Sequence, residues 1–304
     1  MLSPNYKKGI KAILAAALIS GAANFLNKEV ISAGVSPVLL VLLKNSLAGL
    51  LFIFLTLFFI KSGKISWPDK KSSWLKLILL AVVGGSVPFI LFFKGLAITS
   101  AINGSFIHKT MFVWAALFSL VFLKEKLRGY QFLGLGIMFL GILSAISFNF
   151  FDWGRGELMI FAATLFWSAE MIMVKKFIVS IDYRLLAAAR MALGAILVFI
   201  YTWQSGSLSL LSALTSHDWL GIFIVSCFLF GYVFFWYRAL SFLPAGLTAS
   251  ILTLAFPITI ILSNLKVLKW PSFADLGFIF LLAAGVILLI QALFKKPCPA
   301  TSPI

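Results

Sequence analysis

Charge is scarce in this 304-residue chain: only 11% of its residues are Asp, Glu, Lys or Arg, and nine of these are acidic against 25 basic. Water-soluble domains carry roughly 25% charged residues, so a soluble fold is excluded at the outset. Two cysteines, Cys227 inside an apolar run and Cys298 near the end, provide no disulfide framework and no metal cluster. Glycine-rich phosphate loops, nucleophile elbows, paired catalytic carboxylates and His-Cys metal spacings are all missing, so no metal or cofactor is expected. No polar stretch is long enough to fold as a nucleotide-hydrolysing domain, which excludes an ATP-driven pump. A membrane-embedded enzyme would have to rest on His108 and Glu170 alone.

What fills the chain instead is hydrocarbon. Mean hydropathy is +1.09, and 62% of the residues are hydrophobic. A helix crosses ~30 Å of bilayer core with about 20 apolar residues at ~1.5 Å rise each. Runs bounded by charges, prolines or polar clusters give ten such spans: 10–27, 37–60, 74–93, 99–123, 131–148, 157–177, 184–203, 218–237, 245–265 and 273–294. The third and fourth nearly touch at Lys94, and the eighth and ninth at Arg238, so nine is the alternative count. The fold class is therefore an all-α integral membrane protein.

The net charge of +16 would suggest nucleic acid as a partner in a soluble protein. Here it follows topology. With ten spans, Lys7, Lys8 and Lys11, the lysines at 61, 64, 70, 71 and 76, then Lys124, Lys126 and Arg128, Lys175, Lys176, Arg184 and Arg238, and finally Lys295 and Lys296 all lie on one side, with Lys28, Lys94, Arg155, Lys266 and Lys269 on the other and Lys44, Lys109 and Arg190 within spans. The positive-inside rule makes the richer side cytoplasmic, so both termini are expected there, in a multi-pass plasma or inner membrane protein. Basic loops beside anionic headgroups account for the charge without a nucleic-acid partner. Trp67 and Trp74 on one side, and Trp153, Trp203, Trp219 and Trp270 on the other, fall at headgroup depth, where amphipathic rings prefer to sit. The opening lysines before an apolar run imitate a signal peptide, but nine more spans follow and it reads as the first span. The proline-rich end, 295–304, reads as a disordered cytoplasmic tail.

Sliding the second half over the first aligns features at one shift of about 145 residues: Lys28 with Lys175, Lys44 with Arg190, Lys94 with Arg238, and Asn103 to Ile107 with Thr248 to Leu252. The chain reads as a duplicated five-helix unit, 8–148 and 156–294. Five is odd, so the copies enter the membrane from opposite sides. Inverted repeats of this kind surround a site near the bilayer midplane and support two quasi-equivalent conformations, which argues for transport.

These residues resemble the drug/metabolite transporter superfamily, specifically its EamA-type ten-helix members, over about residues 8–294. The resemblance is carried by the Lys28 and Lys175 span ends, the basic Lys44 and Arg190, the small and polar starts of the fourth and ninth spans, Pro257, and Phe122-Leu123-Lys124-Glu125-Lys126-Leu127. It implies a carrier or exporter of small metabolites with a central cavity between two bundles. Two departures stand out. Phe112, preceded by His108-Lys109-Thr110, stands where the family has a proline answering Pro257, and no acidic residue near Lys269-Trp270 answers Glu125.

Ionisable groups deep in the bilayer are costly unless paired or hydrated. On a continuous fourth helix, Ala101, Ser105, His108, Lys109, Phe112, Ala115, Ala116 and Ser119 share one arc, with Asn103, Ile107, Thr110 and Trp114 opposite. Glu170, mid-span in the sixth helix on the face of Ala163 and Trp167, needs a cationic partner, and Lys109 or His108 is expected to supply it. Either the pair locks helices together or it forms a proton or substrate site. Lys44 and Arg190 either snorkel to headgroups or flank the cavity and attract anions. Lys28 with Glu29 reads as a rim ion pair.

Lys44, Lys109 and Arg190 outnumber Glu170 among the deep charges, which favours an anionic or zwitterionic substrate. Trp114, Trp167 and Trp236 either pack or stack on a substrate ring. The span glycines, among them Gly84, Gly85, Gly134, Gly136, Gly277 and Gly285, read as close-packing positions. Pro88 and Pro257 are hinges or static kinks. The candidate site is His108, Lys109, Glu170, Lys44, Arg190, Trp167 and Ser105. The expected function is a secondary transporter of a small polar metabolite, with proton coupling possible. The alternative is a lipid-handling or partner-stabilising membrane subunit.

Overall fold

A computed structural model describes residues 4–99, 101–127, 129–145 and 153–294. Arg128, the end of the fifth span, and the tail from Lys295 onward, including Cys298, lie outside the described residues. The described residues are helical apart from short connections: α1 (Pro4–Ser32), α2 (Pro37–Lys61), α3 (Lys71–Leu80), α4 (Val87–Leu96), α5 (Ala101–Lys109), α6 (Met111–Phe122), α7 (Gly129–Ala145), α8 (Arg155–Phe177), α9 (Tyr183–Gln204), α10 (Ser216–Leu240), α11 (Ala245–Leu252), α12 (Ala255–Lys266) and α13 (Phe273–Phe294). Nine of the resulting units are long and apolar enough to cross a bilayer, and α7 is a shorter apolar helix whose expected last residues are not described. Exposed Phe54, Phe58, Leu133 and Phe280 on the outer faces suit a hydrocarbon solvent.

Three spans are interrupted, each for a readable reason. Between α3 and α4 lies one turn of π-helix, Ala81–Ser86. Pro88 follows it and lacks the amide that a continuous ladder needs, while the Ser86 hydroxyl donates to the carbonyls of Ala81 and Val82 at 3.2 Å each. The fourth span breaks between α5 and α6 at Thr110, whose hydroxyl donates to Ile107 O at 2.6 Å. The ninth breaks between α11 and α12 at Thr253, whose hydroxyl donates to Ser250 O at 2.7 Å. Side-chain bonding to the backbone competes with the helical ladder, and both copies use threonine to do it. Phe112, in the place of the absent proline, therefore sits in a helix that bends anyway. The break also alters the arc expected for a continuous fourth helix. Ile107, expected to point outward, is buried, whereas His108 and Lys109 are partly exposed.

Packing respects the duplication. The first span lies against the eighth as the sixth lies against the third. The second lies against the eighth as the seventh lies against the third, and the first against the ninth as the sixth against the fourth. Second with seventh, fourth with ninth and fifth with tenth are paired across the pseudo-axis. The correspondence reaches single residues: Lys124 and Leu268, equivalent loop positions, are the two non-glycine residues described with positive φ, both at 52°. Just beyond them, Glu125 N donates to Ser119 O and Lys269 N to Asn264 O, each at 3.1 Å.

Close approach across the pseudo-axis explains some glycines and not others. A Cβ on Gly285 would lie 2.6 Å from Gly134 O, and one on Gly49 2.9 Å from the Ala192 Cα. Gly136 and Gly277, expected to pack closely, face open space instead. The predicted headgroup tryptophans Trp67, Trp74, Trp153, Trp203, Trp219 and Trp270 are all exposed, with Trp67 and Trp74 stacked on each other at 6.1 Å.

Candidate functional site

The sixth span carries the deepest charge. Ala163, Trp167 and Glu170, spaced along one face of α8, are all buried, as their helical period requires. The partner of Glu170 is Arg190 of α9, with Nε 2.5 Å from Oε1. Lys109 and His108, expected in that role, point elsewhere. The same carboxylate oxygen accepts the Tyr237 hydroxyl of α10 at 2.6 Å. Arg190 is 4% exposed, so it does not snorkel. Its guanidinium lies 5.4 Å from the Trp236 ring, which stacks on Tyr232 at 5.5 Å with 6° between the planes.

The π-helical turn makes this arrangement possible. A Cβ on Gly84 would fall on the Glu170 carboxyl, and one on Gly85 on the Arg190 carbonyl. Without side chains at these two positions the third span can lie directly on the Glu170 carboxyl and on the α9 backbone at Arg190. Glu170 Oε2, the oxygen facing Gly84, has no hydrogen-bond partner among the described residues.

His108 and Lys109 end α5 and part company there. The His108 ring packs against Trp167 and Phe92, with centroids 5.0 and 5.2 Å away, and Phe89 meets Trp167 edge-on at 5.2 Å. His108 Nδ1 is buried without a partner among the described residues. Lys109 turns to the second half, its Nζ 5.2 Å from both the Phe256 and Phe278 rings, and makes no ion pair among the described residues. The row from Lys109 through His108 and Trp167 to Glu170, Arg190 and Trp236 thus runs from α5 across α8 to α9 and α10. Ser105 lies partly exposed one turn before His108.

Lys44 stands apart from that row. Its Nζ donates to Asn27 of α1 at 3.3 Å, so the two basic residues at equivalent places have different tasks. The Lys28–Glu29 rim pair does not form either: Glu29 pairs with Lys266 of α12, across the pseudo-axis. Trp114 bonds Thr110 Oγ1 at 3.1 Å and packs on Phe161, a packing role.

Tyr237, Phe256 and Phe278 escaped the sequence reading, while Gly84 and Gly85, expected as close-packing positions, do pack closely, in a π-helical turn that was not foreseen. Tyr237 closes the expected eighth span, where a phenol suits headgroup depth, so the sequence gives no sign of its buried partner. A glycine pair followed closely by Pro88 points to the turn. Nothing in the sequence marks which of many phenylalanines face Lys109.

Comparison with known proteins decides the family. The EamA-like transporter family profile matches residues 7–147 and, a second time, residues 154–291. The chain belongs to the EamA-like transporter family. Two curated relatives, each named only as an uncharacterized transporter, are 27% identical over 140 residues (Archaeoglobus fulgidus) and 26% identical over 121 residues (Methanothermobacter thermautotrophicus). Those stretches cover 44% and 38% of this chain, and 48% and 35% of the relatives, so the chain spans half or less of each relative's length. One crystal structure shares the fold with TM-score 0.71, covering 97% of this chain and 99% of its own, at 17% identity. As an EamA-like protein, this is a multi-pass membrane protein, and the duplicated profile match accords with the pairing of its spans.

Proposed function

We propose that this EamA-like protein is a secondary transporter that moves a small polar metabolite bearing an anionic or zwitterionic head. Its two inverted five-helix units, 8–148 and 156–294, would alternate access to a site between them. Lys109 carries this reading. It is a mid-span cation set between two aromatic faces, with the Asp275 carboxylate of α13 acting on it from a distance but no ion pair among the described residues, and an ammonium so placed is costly unless an anion comes to it. Arg190 does not compete for that anion, because Glu170 already neutralises it. His108, Trp167 and Phe92 form an aromatic and imidazole wall beside the lysine, and Ser105 adds a hydroxyl one turn away.

Glu170 is the proposed proton carrier. Its free oxygen and the Tyr237 hydroxyl, beside a π-helical turn, give one proton a place to bind and be released as Arg190 moves. Both termini lie in the cytoplasm in this reading, set by the basic loops, and the membrane is the plasma or inner membrane.

Proteoliposomes loaded with a metabolite mixture test the proposal. Uptake of an anionic or zwitterionic solute, faster than in empty vesicles, should fall about tenfold or more in Lys109→Gln. Glu170→Gln should lose gradient-driven uptake but keep exchange. If no solute crosses faster than in empty vesicles under any imposed proton gradient, the reading fails.

A further inference from the structure

One end of the molecule is tied shut and the other is not. At the tied end, α6 runs along α11, and Gly246 lets the backbones meet: a Cβ there would lie 3.0 Å from Ser119 Oγ and 3.2 Å from the Ala116 Cα. At the opposite end the corresponding helices, α5 and α12, make no comparable contact among the described residues.

The tie is chemical as well as steric. All eight residues of α11 are buried, and its N-cap, Pro244, has no side-chain acceptor for the first amides. Those amides would be left without partners in an apolar place, a costly state. Glu125, in the loop after α6, reaches across the halves. Its Oε1 accepts Ala245 N at 3.0 Å and its Oε2 faces Gly246 N at 3.5 Å. A carboxylate at a helix N-terminus also meets the positive end of the helix dipole. On the other flank of the same connection, Lys175 Nζ donates to Leu240 O, the last carbonyl of α10, at 2.8 Å and to Leu243 O, within the connection, at 2.7 Å. One acid and one base thus hold both ends of the α10–α11 connection.

The duplication shows what the opposite end lacks. Lys269 occupies Glu125's place, with the same loop backbone, and is exposed. An ammonium cannot accept from amides and would be repelled by the positive end of α5. The polar groups at that helix start turn to α8 instead: Thr99 Oγ1 and Asn103 Nδ2, the latter at 3.1 Å, donate to Glu157 Oε1. Lys266 is committed to Glu29.

We propose that Glu125 is the positioning residue that holds the α6–α11 end closed, and that the Glu125/Lys269 asymmetry biases the protein toward the conformation closed at that end. This deepens the transport reading and depends on it for its purpose, but the bias exists whether or not a solute is moved. Opening the cycle to the other side then requires Glu125 to leave the α11 N-terminus while α5 closes on α12.

Spin-label distances in the full-length protein, on a Cys227→Ser, Cys298→Ser background in nanodiscs, test this without any substrate. One label pair, at Lys126 and Arg238, reports the tied end; the other, at Ile98 and Leu265, reports the open end. Glu125→Ala should lengthen the first and shorten the second together, moving the population ratio by about tenfold or more, the size of one charge-assisted hydrogen bond. Lys269→Glu, an exposed change that leaves the tied end intact, should move both distances in the same directions, because it supplies the missing acid to α5. Reciprocal shifts in both variants with no solute flux would keep the latch and remove the transport reading. Unchanged distances in Lys269→Glu, or broadening at the tied end alone in Glu125→Ala, would overturn the latch whatever the flux.

Discussion

Aligning each span of the halves on its own matched basic pair, Lys28 with Lys175, Lys44 with Arg190 and Lys94 with Arg238, places Ala23, Lys44 and Phe93 where the second half has Glu170, Arg190 and Tyr237. The backbones correspond and the chemistry does not. In the second half a guanidinium and a phenol both meet one oxygen of a buried carboxylate. In the first half the acid is a methyl group and the hydroxyl a hydrogen, so Lys44 finds only the Asn27 amide. Duplication supplied two equivalent frameworks, and divergence then put an internal charge pair into one of them. On the proposed reading the group left to meet a ligand is Lys109, which faces Phe256 and Phe278 of the second half, and the site would then be lopsided although the scaffold is not.

The largest effect should come from removing one member of the second-half pair. Arg190→Met leaves Glu170 buried beside a thioether, and breaking a buried pair in this way costs about 3–5 kcal/mol. Reversible unfolding in mixed micelles measures it. The double variant Glu170→Met, Arg190→Met should regain most of the loss, because a buried pair replaced by apolar groups of similar size is often neutral. A double variant as unstable as the single one would show that the pair does more than neutralise itself, and would weaken the contrast with the first half.

How much of this contrast was legible in the sequence depends on what kind of signal carried it. Spans, repeat and family were readable because hydrocarbon thickness and a constant shift impose themselves on every residue of a helix. The breaks at Thr110 and Thr253 were half legible: Pro257 pointed to one, and the other lacked its proline but kept its threonine. Glu170 and Arg190 were each singled out, yet their pairing was missed. Helical periodicity gives the face of a residue on its own helix and says nothing about which helix stands opposite. Lys109 lay on the interior arc of a fourth helix read as continuous, which made it the natural partner for Glu170. The break at Thr110 turns it toward Phe256 and Phe278 instead. Glu125 stood out in the sequence only as part of a family motif, since an N-terminal acceptor supplied from 120 residues away leaves no local trace.

A smaller effect tests whether the π-helical turn serves that pair. Gly84→Ala drives a methyl group onto the Glu170 carboxyl, and overpacking of this kind costs about 1–3 kcal/mol. In a Glu170→Ala background the same methyl has room, so the cost should largely vanish, a coupling that a double-mutant cycle reads directly. If Gly84→Ala costs the same in both backgrounds, the glycine is there for the helix path and not for the carboxylate.

The smallest effect belongs to the first half. Lys44→Met removes one donor to Asn27, and polar contacts between membrane helices average about 0.6 kcal/mol. The residue has no buried carboxylate to orphan, so nothing should multiply that loss, and the unfolding midpoint should stay close to that of the native chain. Transport makes the comparison sharper than stability can. If Lys44 only bonds α1, Lys44→Met should leave solute flux within about twofold while Lys109→Gln lowers it severalfold more. A fall as large as that of Lys109→Gln, at unchanged stability, would mean that Lys44 also draws the anion. The first half would then have kept its cation free for the substrate, and the second half would have given its own up to Glu170.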